Sequence, residues 1–421
     1  MTTQQTFRAA LAACTTLVAA TAGAQLPNGS AAAAGMAGSF TAAARGADAA
    51  TWNPANLGLP GNPTFSLRAL SAGGVSGLDP VSWGDFVGYG DGTIPRDVRL
   101  QWVDRVAASG AQSGAVEGGA TAVAFNVGRL GVHVGSVGYA TASLSPDAVE
   151  ALFFGNAGRT GQPRDLALAG SSLRAGAFAT AAASYAHPLG EVAGGRAALG
   201  VTAKLVRGVA SLRAQDAGSS VTASDIAVRF PVVVSHGTDA GSGTGVDVGA
   251  AWQGERVTLG ARVENVVNTF RWDETALSFR AGSASFDGTT SSSDFDERPY
   301  ADAPQPLRDA IAAERFAPAI GAGLAFRGAH ALTVTADARH QLGGDDAIVI
   351  GPRTHVGVGV ESRALTALPL RAGAAYVTGG WQAAAGLGLR LGAFEIAGAY
   401  TLRDAAAGRA SGVMLNIVGV R

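Results

Sequence analysis

Cysteine is nearly absent from this chain: Cys14 is the only one in 421 residues. Everything after it therefore lacks a disulfide framework, a thiol nucleophile and a cysteine-ligated metal. Charge is also scarce, at 15% of residues, and a net charge of −1 gives none of the positive excess that a nucleic-acid partner demands. Lysine occurs once, as Lys204, so arginine carries nearly all the positive charge. Past the N-terminus no run of about 18 apolar residues escapes interruption by charge or glycine, which argues against a helical membrane protein. The six histidines, His133, His187, His236, His330, His340 and His355, show no HExxH or paired-ligand spacing. Neither a GxSxG elbow nor a phosphate-binding glycine loop is present. The reading is of a protein that is not an enzyme, with no cofactor and no metal.

What is there begins with an export signal. "MTTQQTFR" carries one Arg, and "AALAACTTLVAATAGA" follows as an apolar core closing on the small-x-small site Ala22-Gly23-Ala24. Residues 1–24 are expected to be a signal peptide cleaved after Ala24. A competing reading takes "LAAC", Leu11 to Cys14, as a lipoprotein box. Against it, the apolar run continues past Cys14.

The dominant pattern after that is period two. In "ALTVTADARHQL", Thr333, Thr335, Asp337, Arg339 and Gln341 share one strand face, and Leu332, Val334, Ala336 and Ala338 share the other. "WQAAAGLGLRLG", "FEIAGAYTLRD" and "VTLGARVENVV" repeat the alternation. It can also be read near 64–72, 116–128, 130–144, 173–187, 196–213, 221–235, 244–253, 276–286, 316–327, 353–362, 368–378 and 410–420, giving sixteen candidate strands. Many exceed the five or six residues of an ordinary soluble strand and suit a tilted bilayer crossing of about ten. Short turns such as "GRLG", "RGAH" and "LGAF" are interspersed with long polar loops at 73–115, 145–172 and 287–315. An all-β fold follows: a transmembrane antiparallel β-barrel of 14 to 16 strands over 63–421, apolar faces to lipid and charged faces to the lumen. The short connection at "QGERV", 253–257, breaks the long-and-short rhythm.

Two loops carry helical signals. "IPRDVRLQWVDRVAASG" spaces Val98, Trp102 and Val106 at i, i+4, i+8, between Pro95 and Gly110. "SPDAVEALFFG" has Ser145 to cap, Pro146 in the first turn and Gly155 to stop. Loop aromatic and apolar residues, Trp83, Phe86 and Tyr89 with Leu152, Phe153 and Phe154, either capture a hydrophobic ligand or pack the loops together.

Residues 25–62 are rich in small side chains, lack strand alternation and precede the first strand. They are expected to form a lumenal plug, with the corner at Asn53-Pro54 marking where plug gives way to wall. Within them "GMAGSFTAAARGADAATWNPANLG" resembles the FadL-type outer-membrane transporter superfamily, which includes long-chain fatty acid and aromatic-hydrocarbon transporters and, more distantly, PorV-like barrels. The matching positions are Gly35, Met36, Gly38, Phe40, Ala42, Asp48, Asn53, Pro54 and Ala55. Arg45 and Gly46 stand where many relatives carry acidic residues, and the chain ends in Arg421 where barrels commonly end in an aromatic residue. The resemblance implies 14 strands and an N-terminal hatch. It also implies capture of small hydrophobic ligands among the outer loops, an internal pocket, and exit sideways through the wall.

The functional expectation is an integral channel of the outer membrane of a diderm bacterium. It would stand in outer-membrane lipid and admit small hydrophobic molecules, gated by the segment Gln25 to Pro60 and its residues Gly35, Phe40, Asp48, Asn53, Pro54 and Ala55. A PorV-like scaffold with a secreted or surface protein as partner, and a general diffusion pore, are the alternatives. Inward charges, Arg262, Glu264, Asp337, Arg339, Arg371, Arg390, Glu395 and Arg403, are read as a mutually neutralising lumen network or as guides for a carboxylate. The loop acids Asp294, Asp296 and Glu297, and Asp345 with Asp346, are read as solvated charge ahead of a Ca²⁺ site.

Overall fold

The computed structural model describes residues 29–89, 92–155, 158–162, 164–222, 224–286, 290–344, 347–405 and 408–420. Residues 1–28, which include the expected signal peptide, and Asp345, Asp346 and Arg421 lie outside the described residues.

Fourteen long strands form a closed antiparallel barrel. In chain order they are β1 Phe65–Asp79, β2 Gln112–Val127, β3 Leu130–Leu144, β4 Ser172–Val192, β5 Gly195–Gln215, β6 Gly241–Gln253 and β7 Val257–Asn268. After them come β8 Ala319–Arg327, β9 Leu332–Gln341, β10 Thr354–Ser362, β11 Leu370–Val377, β12 Gly380–Leu391, β13 Phe394–Ala405 and β14 Gly408–Val420. Each strand pairs with the next, and β14 returns to β1 with Ser411 opposite Ser76. Closure leaves no unpaired edge, the condition for a sheet in hydrocarbon.

Burial follows the period-two pattern. On β9, Thr335 and Asp337 point inwards and are buried, while Leu332 and Val334 point outwards and are exposed. Leu205, Leu259, Val358, Leu389 and Ile396 continue the apolar outer surface. Exposed Phe326 and Phe394 sit near the short-turn end, and Tyr376 and Trp381 towards the other, as in the aromatic girdles of a lipid-facing barrel.

Two of the sixteen candidate strands do not join the ring as spanning strands. Residues 221–235 break at Pro231 into Ile226–Arg229 and Val232–Ser235, since proline cannot donate to a ladder. Residues 276–286 break at Gly282, φ +59°, into Leu277–Arg280 and Ser283–Phe286. Ile226–Arg229 and Ser283–Phe286 belong to a five-stranded sheet in the long loops, with Ser291–Asp294, Ser220–Val221 and Leu166–Ala167. The connection at 253–257 is therefore an ordinary hairpin between β6 and β7, and the rhythm is regular. Long loops at 80–111, 145–171, 216–240, 269–318 and 342–353 share one end; the turns at 128–129, 193–194, 254–256, 328–331 and 392–393 share the other.

Among the described residues there are six α-helices: α1 Ala31–Gly35 and α2 Ala47–Trp52 in the N-terminal segment, then α3 Trp83–Val87, α4 Arg96–Ser109, α5 Pro146–Phe154 and α6 Gln305–Ala312 in the loops. The expected stop and cap residues act as such. Gly110 ends α4 at φ +87°, and Ser145 Oγ accepts from Ala148 N at 3.2 Å at the start of α5.

Candidate functional site: the lumen and the segment inside it

Residues 29–62 touch strands all round the ring. Gly131 of β3 faces Ala50, Gly200 of β5 faces Ala55, Gly249 of β6 faces Asn53, Gly260 of β7 faces Ala42, Gly373 of β11 faces Met36 and Gly386 of β12 faces Gly35. A Cβ on Gly200 would lie 2.2 Å from Ala55 N, and one on Gly373 2.4 Å from the Met36 carbonyl carbon. These absent side chains are the hollow into which the segment fits.

Polar contacts from the wall fix it further. Asn53 is fully buried; its Nδ2 donates to Ala250 O at 3.1 Å, and its Oδ1 accepts from Ala55 N at 3.1 Å, capping the 3-10 turn Pro54–Gly58. The Asn-Pro corner thus lies within the segment, clamped to β6. The first strand of the wall begins only at Phe65. Arg262 Nη1 donates to Trp52 O at 2.7 Å, and its guanidinium carbon lies 5.2 Å from the Trp52 ring centroid. The Asp337 carboxylate accepts from Thr41 N at 3.2 Å, and His355 Nε2 bonds Ala37 O at 2.7 Å. Asp48 on α2 meets fully buried Arg68 of β1 at 2.5 Å. Phe40 packs edge-on against Trp52 with centroids 5.7 Å apart, and Gly35 permits α1 to approach β12 closely.

Between the segment and the long-loop end lies a cavity of about 80 Å³. Arg262, Asp337, Arg339 and Arg403, four of the charges picked out in the sequence, line it together with His355 and Glu117. Glu264 pairs with Arg262 at 2.7 Å and Arg403 with Glu117 at 3.0 Å, so much of this charge is neutralised in place. Arg390 and Glu395 are not part of that cavity. They join Arg371 on the opposite side of the segment, where Glu395 bonds both arginines at 3.1 and 2.7 Å.

The loop aromatics form a small core and line no described cavity in the lumen. Phe86, Tyr89 and Phe153 surround Trp102 of α4 with centroids 4.9, 5.9 and 5.9 Å away, and Phe154 lies beneath Arg96 and Arg99. Trp83 and Leu152 remain exposed. The acids Asp294 and Glu297 are engaged by Arg298 and Arg280, and no group of acids placed to hold a cation occurs among the described residues.

One interior feature escaped the sequence reading. Phe178 of β4 meets Phe270, Trp272 and Phe316 at 5.4, 5.4 and 4.9 Å, filling the lumen under the loop 269–318. Buried Glu314 holds that loop to the wall, bonding Arg174 at 2.9 Å, Arg213 at 3.0 Å and the Trp272 indole N–H at 2.7 Å. The inward parity of Arg174 and Phe178 was readable; that of Arg213, set by the bulge at Val209, and their convergence with residues a hundred positions away were not.

The family model described as "F plasmid transfer operon, TraF, protein" matches residues 103–300, less than half of the chain and none of the N-terminal segment. No curated protein matches the sequence. Among solved structures, the Ralstonia pickettii toluene transporter TbuX is similar at 13% identity, over 94% of this chain and 100% of that one, with a TM-score of 0.51. The P. putida toluene transporter TodX aligns at 13% identity over 94% and 98%, TM-score 0.47, and a Pseudomonas aeruginosa FadL homologue at 12% over 95% and 99%, TM-score 0.48. The likeness to TbuX is one of architecture, and on it the chain has the 14-stranded fold of the FadL-type barrels.

Proposed function

We propose that this protein is an integral outer-membrane channel for small hydrophobic molecules, with the segment from Gln25 to Pro60 as its hatch. The observation that carries this reading is where the lumen cavity meets the wall. Its lining includes Gly73 and Gly74 of β1 and Gly412 of β14, with both inward Met414 and outward Val413. Gly73 and Gly74 pair with Gly119 and Gly118 of β2, and Gly118 pairs onward with Gly138 of β3. Few side chains stand between cavity and lipid there. Just below, Leu70 has φ +55° and the β1–β14 register shifts between Ala69 and Ala72, so the ladder is locally interrupted. An apolar solute leaving through this patch enters hydrocarbon without crossing water, a path that gives nothing to a polar one.

TbuX, whose architecture this chain shares, is a toluene transporter, which accords with this reading. The filled lumen is unlike the open, charge-lined passage that a general diffusion pore requires. Asn53 and Pro54 act in this scheme as the fixed end about which Gly35 to Asp48 move.

The test compares uptake of radiolabelled toluene and of a small sugar by cells carrying the protein, an Asn53→Ala/Pro54→Ala variant, or neither. Hydrocarbon uptake above the empty cells, altered by the variant and without matching sugar entry, is the expected result. Equal uptake with and without the barrel would remove the transport reading, and sugar entry as fast as toluene would replace it with a diffusion pore.

A further inference from the structure

Below the N-terminal segment, at the short-turn end, a vestibule of about 800 Å³ opens towards solvent. Its charged lining comprises Arg45, Arg68, Arg327, Arg363, Arg371 and Arg390 against only Asp48, Glu361 and Glu395, an excess of three positive charges. The carboxylates are already committed. Glu361 bonds Arg371 and Arg363 at 2.7 Å each, Glu395 bonds Arg371 and Arg390, and Asp48 bonds Arg68.

Two buried polar groups in this lining have no protein partner. Arg371 is 5% exposed; its Nε and Nη2 are taken by the two glutamates, while Nη1 has no acceptor. Asn416 is 4% exposed, and its Oδ1 is likewise unsatisfied. A buried guanidinium N–H without an acceptor is destabilising, the more so because it is charged. The roof is of opposite character: Met36 and Phe40 of the N-terminal segment, with Ala32 and Ala43. A cationic floor with an unfilled donor beneath an apolar roof fits a molecule with an anionic group on an apolar body.

We propose that the vestibule is a binding site for organic anions, in which a phosphate or carboxylate accepts from Arg371 Nη1 and the apolar part lies against Met36 and Phe40. It takes from the transport reading only the direction of arrival, past the hatch, and equilibrium binding tests it without any flux measurement. Arg327, Arg363 and Arg390 lie towards the mouth and supply attraction over a longer range, while Arg371 supplies the directed bond.

The experiment is calorimetric titration of the purified full-length barrel in neutral detergent with phenyl phosphate, phenol and inorganic phosphate. Phenyl phosphate is expected to bind saturably and at least tenfold more tightly than phenol, with affinity falling as salt is raised. Arg371→Gln should abolish this. Because that variant also breaks two buried ion pairs, the mouth variant Arg327→Gln, which breaks none of the ion pairs named above, is measured alongside, and should weaken phenyl phosphate about threefold with phenol unchanged. Inorganic phosphate competing as well as phenyl phosphate would place the specificity in the anion alone and overturn the role of the apolar roof. Phenyl phosphate binding no better than phenol, or equally to the mouth variant, would overturn the site while leaving hydrocarbon uptake to stand on its own test.

Discussion

Asp48 illustrates how a residue picked out by motif acquires a physical role. It sits on α2, with its carboxylate 2.5 Å from the guanidinium of Arg68, a side chain with no solvent exposure. Removing one partner of a buried pair leaves a charge without its counterion, at a cost of about 3–5 kcal/mol, whereas replacing both by apolar groups is often nearly neutral. Asp48→Asn should therefore lower the temperature at which the detergent-solubilised barrel loses its compact form on unheated gels, and Asp48→Met/Arg68→Met should recover most of the loss. An Asp48→Asn barrel with parental heat resistance would show that the contact does not hold the segment. The resemblance marked Asp48, but Arg68 lies twenty residues on, and nothing in the sequence pairs them; the partner emerges only when β1 turns its inner face towards α2.

Among the elements, α5 is tied by one buried acid to the loop that follows it. Glu150 is 1% exposed; burial alone would raise its pKa, but the hydrogen bond from Arg164, then that from Arg159 N, and the charges of both arginines hold it below its ordinary 4.5. A carboxyl whose folded-state pKa is depressed contributes stability that is present above 4.5 and lost as pH falls through the folded value. Limited proteolysis of 145–171 should thus accelerate as the pH falls below 4.5, and Glu150→Gln should already be cleaved quickly at pH 7 with little further change on acidification. Parent and variant responding alike to acid would assign the effect to other groups. The 3-10 turn Pro54–Gly58 offers a second case. With Ala55 N only 2.2 Å from where a Gly200 Cβ would stand, Gly200→Val must displace the turn, and the barrel should show larger single-channel conductance in planar bilayers than the parent. Unchanged conductance would mean the segment does not occlude the lumen. Elements were the most legible level of this sequence, because period two survives wherever one face meets lipid and the other the lumen. The reading failed at 221–235 and 276–286, where the same alternation serves a small sheet in the loops and Pro231 and Gly282 decide the outcome. It was silent on Gly131, Gly200, Gly249 and Gly373, since a glycine shaped to fit a distant segment looks like any other strand glycine.

At the scale of the whole molecule, the two ends of the barrel differ in a way that sets its orientation. One carries the helices α3 to α6 and the five-stranded sheet; the other carries mostly short turns and the arginine-lined vestibule. Outer-membrane barrels place long loops outside and short turns in the periplasm, so on the proposed reading the N-terminal segment would face the cell exterior through the aromatic core around Phe178 and the periplasm through the vestibule. Gly237, in the loop 216–240, and Gly194, in the turn 193–194, allow a direct check. Both have positive φ, and a Cβ at either would meet nothing within 4 Å, so short insertions there should leave the ring intact. An epitope inserted after Gly237 should be labelled by antibody on intact cells, and one after Gly194 only once the outer membrane is permeabilised. The reverse pattern would turn the barrel over, exposing the anion site to the medium and making the vestibule an entrance. Labelling of both on intact cells would mean that the ring does not span the membrane at all, and the hydrophobic path through the glycine patch would then have no lipid to open into.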